Sequence, residues 1–332
     1  MNTIVDVARR AEVSTATVSR VLSQPAIVSP ATRERVLKAV ADLGYEPNPA
    51  ARALRTLRAQ KLLVTLPDIS NPFFAHVIRG AEEAARDAGY AVMLGDTRHD
   101  PELENQYAAM LRRREVDGLV FLGHRLPDSL AAAVAETPGL LPVVNGCEYS
   151  PELGVSSVHI DNAAAGEEAT QHLIALGHTR IGVITGPLIS PISRDRLDGV
   201  RQAAATAPAT DLSIRNGDFS VESGFAEAKA LLAKKVTALF CFSDEMAIGA
   251  LDAVRSRGLA CPADVSIVGF DDIRFARYLA PALTTIAQPM SEIGRRCVEL
   301  LIQIIGGQLT TPSIITLPHH LVVRGSTGPA RG

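Results

Sequence analysis

The chain has 332 residues, of which 47% are hydrophobic and 21% charged, with a net charge of -3, so it can bury a sizeable core in about two or three folding units. No run reaches the roughly 18 uninterrupted apolar residues that a membrane span requires, and the opening residues MNTIVDVARR lack the apolar region of a secretory signal peptide. The four cysteines lie far apart, which favours reduced thiols over a disulfide framework or a metal site. We therefore expect a cytoplasmic protein with no bound metal. No cofactor is expected either.

Charge is distributed unevenly along the chain. Residues 1–61 carry ten Lys and Arg against five Asp and Glu, whereas residues 62–332 carry 23 against 31. A polyanion attracts a basic segment and repels an acidic one. The split therefore predicts a small leading module that binds a polyanion, attached to a larger acidic body that does not.

Three short amphipathic helices are predicted in the basic segment. Thr3 and Asp6 have the spacing of a capping box, Ser14 and Ser29 are candidate caps of the second and third helices, and Gly44 ends the third. The first two helices are joined by a tight turn, and the second has a small polar face. This pattern predicts a helix-turn-helix whose second helix enters the major groove of DNA.

The segments TIVDVARRAEVSTATVSRVL and RERVLKAVADLGYEPNPAARALR, followed by a long α/β region, resemble the LacI/GalR family of bacterial transcription regulators. The resemblance spans nearly the whole chain. It implies that bases are contacted at the positions of Thr15, Ala16 and Arg20. Arginine can donate two hydrogen bonds to guanine, and Thr or Ala methyl groups suit the thymine methyl. For Thr17 and Ser19, phosphate contact or helix capping is expected instead.

Residues 47–60 form a predicted hinge. The segment is about two turns long, which is too short for a helix that is stable alone in water. The family resemblance implies that it becomes helical on operator DNA and inserts Leu54 into the minor groove, where such an apolar wedge kinks the duplex. Arg52, Arg55 and Arg58 would neutralise nearby phosphates. The alternative is an ordinary solvated linker.

From residue 61 onward, apolar strand-like runs alternate with Ala-rich amphipathic stretches. This alternation predicts βαβ units and mostly parallel sheets covered by helices. The resemblance implies a small all-α helix-turn-helix domain plus an α/β periplasmic-binding-protein-like effector domain of two doubly wound subdomains. The predicted divisions are a DNA-binding domain over 1–46, a hinge over 47–60, and a ligand-binding and dimerisation domain over 61–332, with one subdomain at about 61–161 and 290–317 and the other at about 162–289 and 318–328.

Ligands of doubly wound sheets bind outside the carboxyl ends of the strands, so polar and aromatic residues that follow the strands are the candidate ligand contacts. The resemblance implies that aromatic rings enclose a flat ligand while Arg196 and Asp271 bind its hydroxyl groups. Core packing is the alternative for each aromatic ring. The predicted ligand-binding residues are Phe73, Phe74, Arg196, Phe240, Ser243 and Asp271.

The function predicted from these features is a DNA-binding transcriptional regulator, with repression expected, whose operator affinity is controlled by a small ligand. Stretches such as FCFSDEMAIGAL and LTTIAQPMSEIGR resemble family members that respond to a nucleoside, which implies cytidine or a relative as effector. The expected partners are double-stranded operator DNA, this effector and a second copy in a homodimer, with no membrane partner. A sugar or purine effector and a periplasmic-type solute receptor are the alternatives. An enzyme is disfavoured because common catalytic motifs are absent.

Overall fold

The computed structural model describes residues 2–46, 58–137, 139–149 and 153–331. It contains two compact units, residues 1–59 and 60–332, which are treated separately below. In the described part of the chain, no helix is long and apolar enough to cross a membrane. The predictions for Arg52, Leu54 and Arg55 fall on residues outside the described ranges.

The first unit contains three helices, α1 (Ile4–Arg10), α2 (Thr15–Ser23) and α3 (Pro30–Leu43), with a short 3-10 turn over Pro25–Ile27. Its core is aliphatic, and one valine from each helix is fully buried. These are Val7, Val18 and Val36. The amphipathic pattern of each helix therefore serves one shared core.

The helix ends follow the predicted local chemistry with one exception. Thr3 completes a capping box at α1, and the Ser14 hydroxyl accepts the backbone N–H of Thr17 at the start of α2. Gly44 ends α3 in the left-handed conformation at φ 56°, which glycine adopts without a Cβ clash. Ser29 occupies the N-cap position of α3, as predicted, but its hydroxyl donates to the Thr32 side chain at 3.0 Å instead of accepting a backbone N–H.

The second unit contains two six-stranded sheets. The strand order is β11-β5-β4-β3-β1-β2 in the first sheet and β12-β10-β9-β8-β6-β7 in the second. Every strand pair is parallel except β10 with β12. The first sheet contains β1 (Lys61–Leu66), β2 (Ala91–Asp96), β3 (Gly118–Phe121), β4 (Val143–Gly146), β5 (Ser156–Ile160) and β11 (Ile314–Leu317); the second contains β6 (Arg180–Thr185), β7 (Asp211–Asn216), β8 (Ala238–Cys241), β9 (Ser266–Asp271), β10 (Thr284–Ala287) and β12 (His320–Val322).

Helices cover these sheets, as the alternating pattern predicts. Helices α4 and α11 pack together on one face of the first sheet, and α7 packs against α8, and α9 against α10, on the second. The chain passes between the sheets after β5, after β10 and after β11. The helices of this unit are α4 (Pro72–Asp87), α5 (Pro101–Arg112), α6 (Asp128–Glu136), α7 (Asn162–Ala175), α8 (Pro191–Ala205), α9 (Val221–Leu232), α10 (Asp244–Ser256) and α11 (Met290–Ile305).

Two edge strands, β7 and β11, do not coincide with the apolar runs from which strands were predicted. Strand β7 has the sequence DLSIRN and is partly exposed along its length, and β11 is exposed at two of its four residues. Each lies at an edge of its sheet. An apolar run is a signal for strands buried on both faces, so it identifies the central strands and misses such edges.

Candidate DNA-binding surface and effector cleft

The second helix of the first unit separates its buried and exposed residues by face. Val18 and Val21 are buried in the three-helix core, whereas Thr15, Ala16 and Arg20 are exposed. The exposed set has the residue types that can contact base edges in a major groove. Arg20 forms no ion pair with another described residue, so its guanidinium is available to an external acceptor.

The remaining polar residues of this helix have different surroundings. Thr17 is held at the helix start, where its hydroxyl lies 2.9 Å from that of Ser14 and its N–H donates to the same oxygen. This places Thr17 in the cap, one of the two roles expected for it. Ser19 is half-buried beside the exposed face.

Arg20→Ala should weaken binding to a specific DNA site by about 1–3 kcal/mol and binding to random DNA much less, because the family resemblance implies a bidentate contact between Arg20 and guanine. Arg58→Ala is the comparison, since loss of a phosphate contact weakens both kinds of binding together. Fluorescence anisotropy titrations with both DNAs at one salt concentration measure the two effects. Equal losses on both DNAs for Arg20→Ala would exclude base contact by Arg20.

In the second unit, the carboxyl ends of the two sheets meet through buried polar groups. Glu148 follows β4 of the first sheet, and both of its carboxylate oxygens lie 3.0 Å from the hydroxyl of Ser190, which precedes α8 on the second sheet. Burial raises the pKa of Glu148 to about 7. We call the region at these strand ends the cleft; its buried charged residues are Glu148, Arg196 and Asp271, and Phe73 and Phe219 follow strands β1 and β7.

Arg196 is the buried cation of the cleft. It lies in the second turn of α8 and is only 3% exposed. Its Nε donates to Asn162 Oδ1 at 2.9 Å, a terminal nitrogen donates to the carbonyl of Phe242 at 2.6 Å, and its Cζ lies 3.5 Å from the ring centre of Phe270. Burial lowers the pKa of Arg196 to about 10, opposed by the negative charges of Asp271 and Glu148.

Asp271 lies at the end of β9 with a φ of 120°, an unusual backbone angle for a non-glycine residue. Its Oδ1 accepts a hydrogen bond from the Gln288 side chain at 2.8 Å. Burial raises the pKa of Asp271 to about 7, opposed by the charge of Arg196. The neighbouring Asp272 instead pairs with Arg324 at 2.7 Å, so the two adjacent aspartates have separate partners.

The aromatic residues after the first strand lie where the sequence predicted them. Phe73 and Phe74 begin α4, which is capped by the Asn71 side chain accepting the N–H of Phe73. Their rings meet edge to face with centroids 5.1 Å apart. Both are at least nine-tenths buried, so they also contribute to the core.

Two predicted ligand contacts have structural roles instead. Phe240 is 0% exposed within the central strand β8, and its ring packs 5.1 Å from that of Phe242 in the core, so it offers no surface to a ligand. Ser243 caps α10, where its hydroxyl accepts the N–H of Met246. Both residues lie at or near the end of β8, where the sequence predicted them. The Phe240 side chain, however, points into the core, and the Ser243 side chain caps α10.

Phe219 and Glu148 are cleft residues that the sequence prediction missed. Phe219 follows the unpredicted strand β7, has a φ of 71°, is half-buried and packs against the core. Its ring packs on Gly186 at the end of β6, where an added Cβ would lie 2.0 Å from the ring. An aromatic residue directly after a strand would have been a signal for Phe219, had β7 been recognised.

Two family profiles match the chain. The profile described as "Bacterial regulatory proteins, lacI family" matches residues 3–48, and the profile "Periplasmic binding protein-like domain" matches residues 170–327. The HTH-type transcriptional repressor CytR of Escherichia coli (strain K12) is 42% identical over 329 residues, covering 98% of this chain and 96% of CytR. The HTH-type transcriptional regulator DegA of Bacillus subtilis (strain 168) is 38% identical over 331 residues, covering 98% of each chain.

Solved structures share the whole architecture. The lac repressor dimer bound to operator and the anti-inducer ONPF has a TM-score of 0.87 at 30% identity, covering 98% of this chain and 99% of that one. A complex of the transcriptional regulator CelR with cellobiose has a TM-score of 0.74 at 35% identity, covering 98% and 100%. These relatives are transcriptional regulators rather than enzymes, and they confirm the predicted fold class. The chain therefore belongs to the lacI family of bacterial regulatory proteins and is a transcriptional repressor with a helix-turn-helix domain and a periplasmic-binding-like domain.

Proposed function

We propose that operator binding by this repressor is controlled by a nucleoside, such as cytidine, that binds in the cleft. The observation that carries the proposal is the buried set of Glu148, Arg196 and Asp271 near the carboxyl ends of the strands, where Glu148 of the first-sheet half contacts Ser190 of the second. Phe73 and the half-buried Phe219 also follow strands, β1 and β7 respectively. Aromatic faces suit a flat base, and charged groups suit ribose hydroxyls through charge-assisted hydrogen bonds.

On the DNA side, we propose that a cytoplasmic homodimer places two α2 helices in successive major grooves of a pseudo-palindromic operator. Thr15, Ala16 and Arg20 contact bases, Thr17 caps the helix, and Ser19 positions the helix on phosphates. Leu54, Arg52 and Arg55 act at the minor groove between the two half-sites. No catalytic activity is proposed.

The two functions are coupled through the cleft. Glu148 lies on the first sheet, whereas Ser190 and Arg196 lie on the second, so a ligand that contacts both groups favours one arrangement of the sheets over another. A ligand shifts a conformational equilibrium only by its difference in affinity for the two states. Reciprocal linkage then requires operator DNA to change the affinity for the nucleoside by the same factor.

A sugar effector is the second candidate, because the CelR structure contains cellobiose and another family structure, a regulator from Enterococcus faecium, contains ribose. Sugar binding would use the same hydrogen-bonding groups without requiring a stacked base. The two candidates therefore differ in their dependence on Phe219.

Isothermal titration calorimetry of cytidine, adenosine, ribose and galactose separates these candidates. We expect a nucleoside to bind most tightly, and Phe219→Ala to weaken nucleoside binding by about 1–3 kcal/mol through the loss of base stacking. Ribose serves as the matched control, since it has no base and its affinity should be unaffected by the same variant. If a sugar binds more tightly than every nucleoside, the nucleoside assignment fails while DNA-binding repression stands.

A further inference from the structure

We propose that the cleft selects unphosphorylated ligands, so that a nucleoside binds and the corresponding nucleotide does not. The proposal rests on the function proposed above, because it concerns the ligand of the same cleft. It follows from the charges that the two sheets bring together, and it makes Glu148 a residue that determines specificity.

The buried charges of the cleft are predominantly acidic. Among the Asp, Glu, Lys and Arg side chains that the structure describes, the buried ones are Glu148, Asp244, Asp271 and Arg196. The charge of Arg196 interacts with those of Asp271 and Glu148, and the charge of Asp271 interacts with that of Asp244. The four ionisable groups are therefore close enough to influence one another's charge. Burial raises the pKa of Asp244 well above its usual value, which favours its neutral form, whereas Glu148 and Asp271 ionise near neutral pH. A phosphate group entering the cluster would be repelled by these two carboxylates at reduced dielectric.

The single cation is partly used by the protein. Arg196 donates to Asn162 and to the carbonyl of Phe242, and its planar face covers the ring of Phe270. A phosphate is bound best by an arginine that is free to present two parallel donors. Here Nε and one terminal nitrogen are already hydrogen-bonded, so fewer donor pairs remain for a phosphate, whereas the other terminal nitrogen can still donate to a ligand hydroxyl.

Further acidic residues add negative charge on the side of the first sheet. Burial raises the pKa of Glu245, in the first turn of α10, to about 7, and the negative charges of Asp68 and Glu222 add to this rise. Asp68 follows β1 of the first sheet. Acidic groups therefore come from both halves of the cleft.

Arg194 is the cation that could oppose this selection. It is exposed, donates to the carbonyls of Leu188 and Ile189, and interacts with His124 on the first-sheet half. A phosphate directed toward Arg194 would avoid the buried acids. The selection therefore requires that the ligand occupy the buried cluster. Comparing the affinities of phosphorylated and unphosphorylated ligands tests this directly.

The selection should become stronger as pH rises. Glu148 and Asp271 ionise near neutral pH, and a phosphate ester gains its second charge near pH 6, so repulsion grows between about pH 6 and 8. Below this range the carboxyl groups are protonated and repel less. The groups that face Glu148 are Cys147, Ser190, the N–H of Ile192, Asp195 and Arg196, and those that face Asp271 are Asp244, Glu245, Gln288 and Arg196.

The test is calorimetry of cytidine and cytidine 5′-monophosphate, and of ribose and ribose 5-phosphate, with the full chain at pH 6 and pH 8. We expect the wild type to prefer cytidine to its monophosphate by at least about 100-fold at pH 8 and by a smaller factor at pH 6. Glu148→Gln keeps a polar partner for Ser190 and should reduce the preference at pH 8 by about tenfold. Glu82→Gln, on the exposed face of α4, is the matched control and should keep the wild-type ratio.

Equal or tighter binding of the monophosphate by the wild type would overturn the proposal, as would an unchanged ratio in Glu148→Gln. These results are distinguishable from failure of the proposed function. If neither cytidine compound binds but ribose does, the nucleoside assignment fails, and the ribose pair alone then decides whether the cleft excludes phosphate.

Discussion

Replacing Arg196 with methionine should reduce effector affinity by at least about 100-fold while leaving ligand-free operator binding intact, because Arg196 is the buried charged partner that we propose for the ligand. Methionine retains much of the side chain's apolar length but none of its donors. The Asn162 oxygen and the Phe242 carbonyl then lose their hydrogen bonds, and the ring of Phe270 loses the overlying guanidinium. A stability cost of about 1–3 kcal/mol follows from leaving buried acceptors unpaired.

The same substitution changes the protonation of the cleft. The charge of Arg196 holds down the pKa values of Asp271 and Glu148, which burial raises to about 7. Without that charge both pKa values should rise further, so the two groups are more often protonated at neutral pH. Charge-assisted acceptance of ligand hydroxyls is then weakened in addition to the loss of the arginine donors.

Arg201→Met is the matched control for Arg196→Met. Arg201 lies on the same helix, but its side chain is 59% exposed and pairs only with Asp198, three residues away. Loss of such a surface pair should change stability by less than about 1 kcal/mol and should not affect the cleft. Calorimetry with the effector, anisotropy with operator DNA and thermal melting provide the three measurements. An undiminished effector affinity in Arg196→Met would remove this residue from the proposed binding site.

The DNA-binding module was predictable because its signals are local. The capping box at Thr3, the cap at Ser14 and the left-handed turn at Gly44 each depend on residues within a few positions of one another. The alternation of apolar runs and amphipathic stretches likewise gave the two-sheet α/β fold. Edge strands such as β7 were missed because partial exposure removes the apolar run.

The cleft was predictable only in part because its contacts are not local. Asp271 follows a strand as expected, but Arg196 lies within α8, and sequence does not fix on which side of a strand end a side chain lies, so Phe240 proved to be core. Glu148 and Ser190 are 42 residues apart and belong to different sheets, so their contact depends on how the sheets face each other. Pattern and spacing contain no direct signal for such a contact.

Gly199→Ala should lower the stability of the second unit by about 3 kcal/mol, near the upper end of the usual cost of overpacking. Gly199 lies where α8 crosses α7, and an added Cβ would be 1.9 Å from the carbonyl oxygen of Ala163 and 2.7 Å from the nitrogen of Glu167. Both obstacles are backbone atoms, so side-chain rotation cannot relieve the clash. Gly166 has the reciprocal position, since its added Cβ would lie 2.3 Å from the carbonyl oxygen of Arg196.

Because these two glycines hold α7 and α8 in close contact, the Gly199 substitution must displace the helix that carries Arg196. We therefore expect the melting temperature to fall by about 6–12 °C and effector affinity to fall with it, as measured by calorimetry below the new transition. Gly123→Ala is the matched control, because an added Cβ there meets no atom within 4 Å, and its effect should stay within about 0.5 kcal/mol. If Gly199→Ala melts like that control, the close contact of α7 and α8 does not position Arg196. If it melts lower but binds the effector normally, the contact stabilises the unit without shaping the cleft.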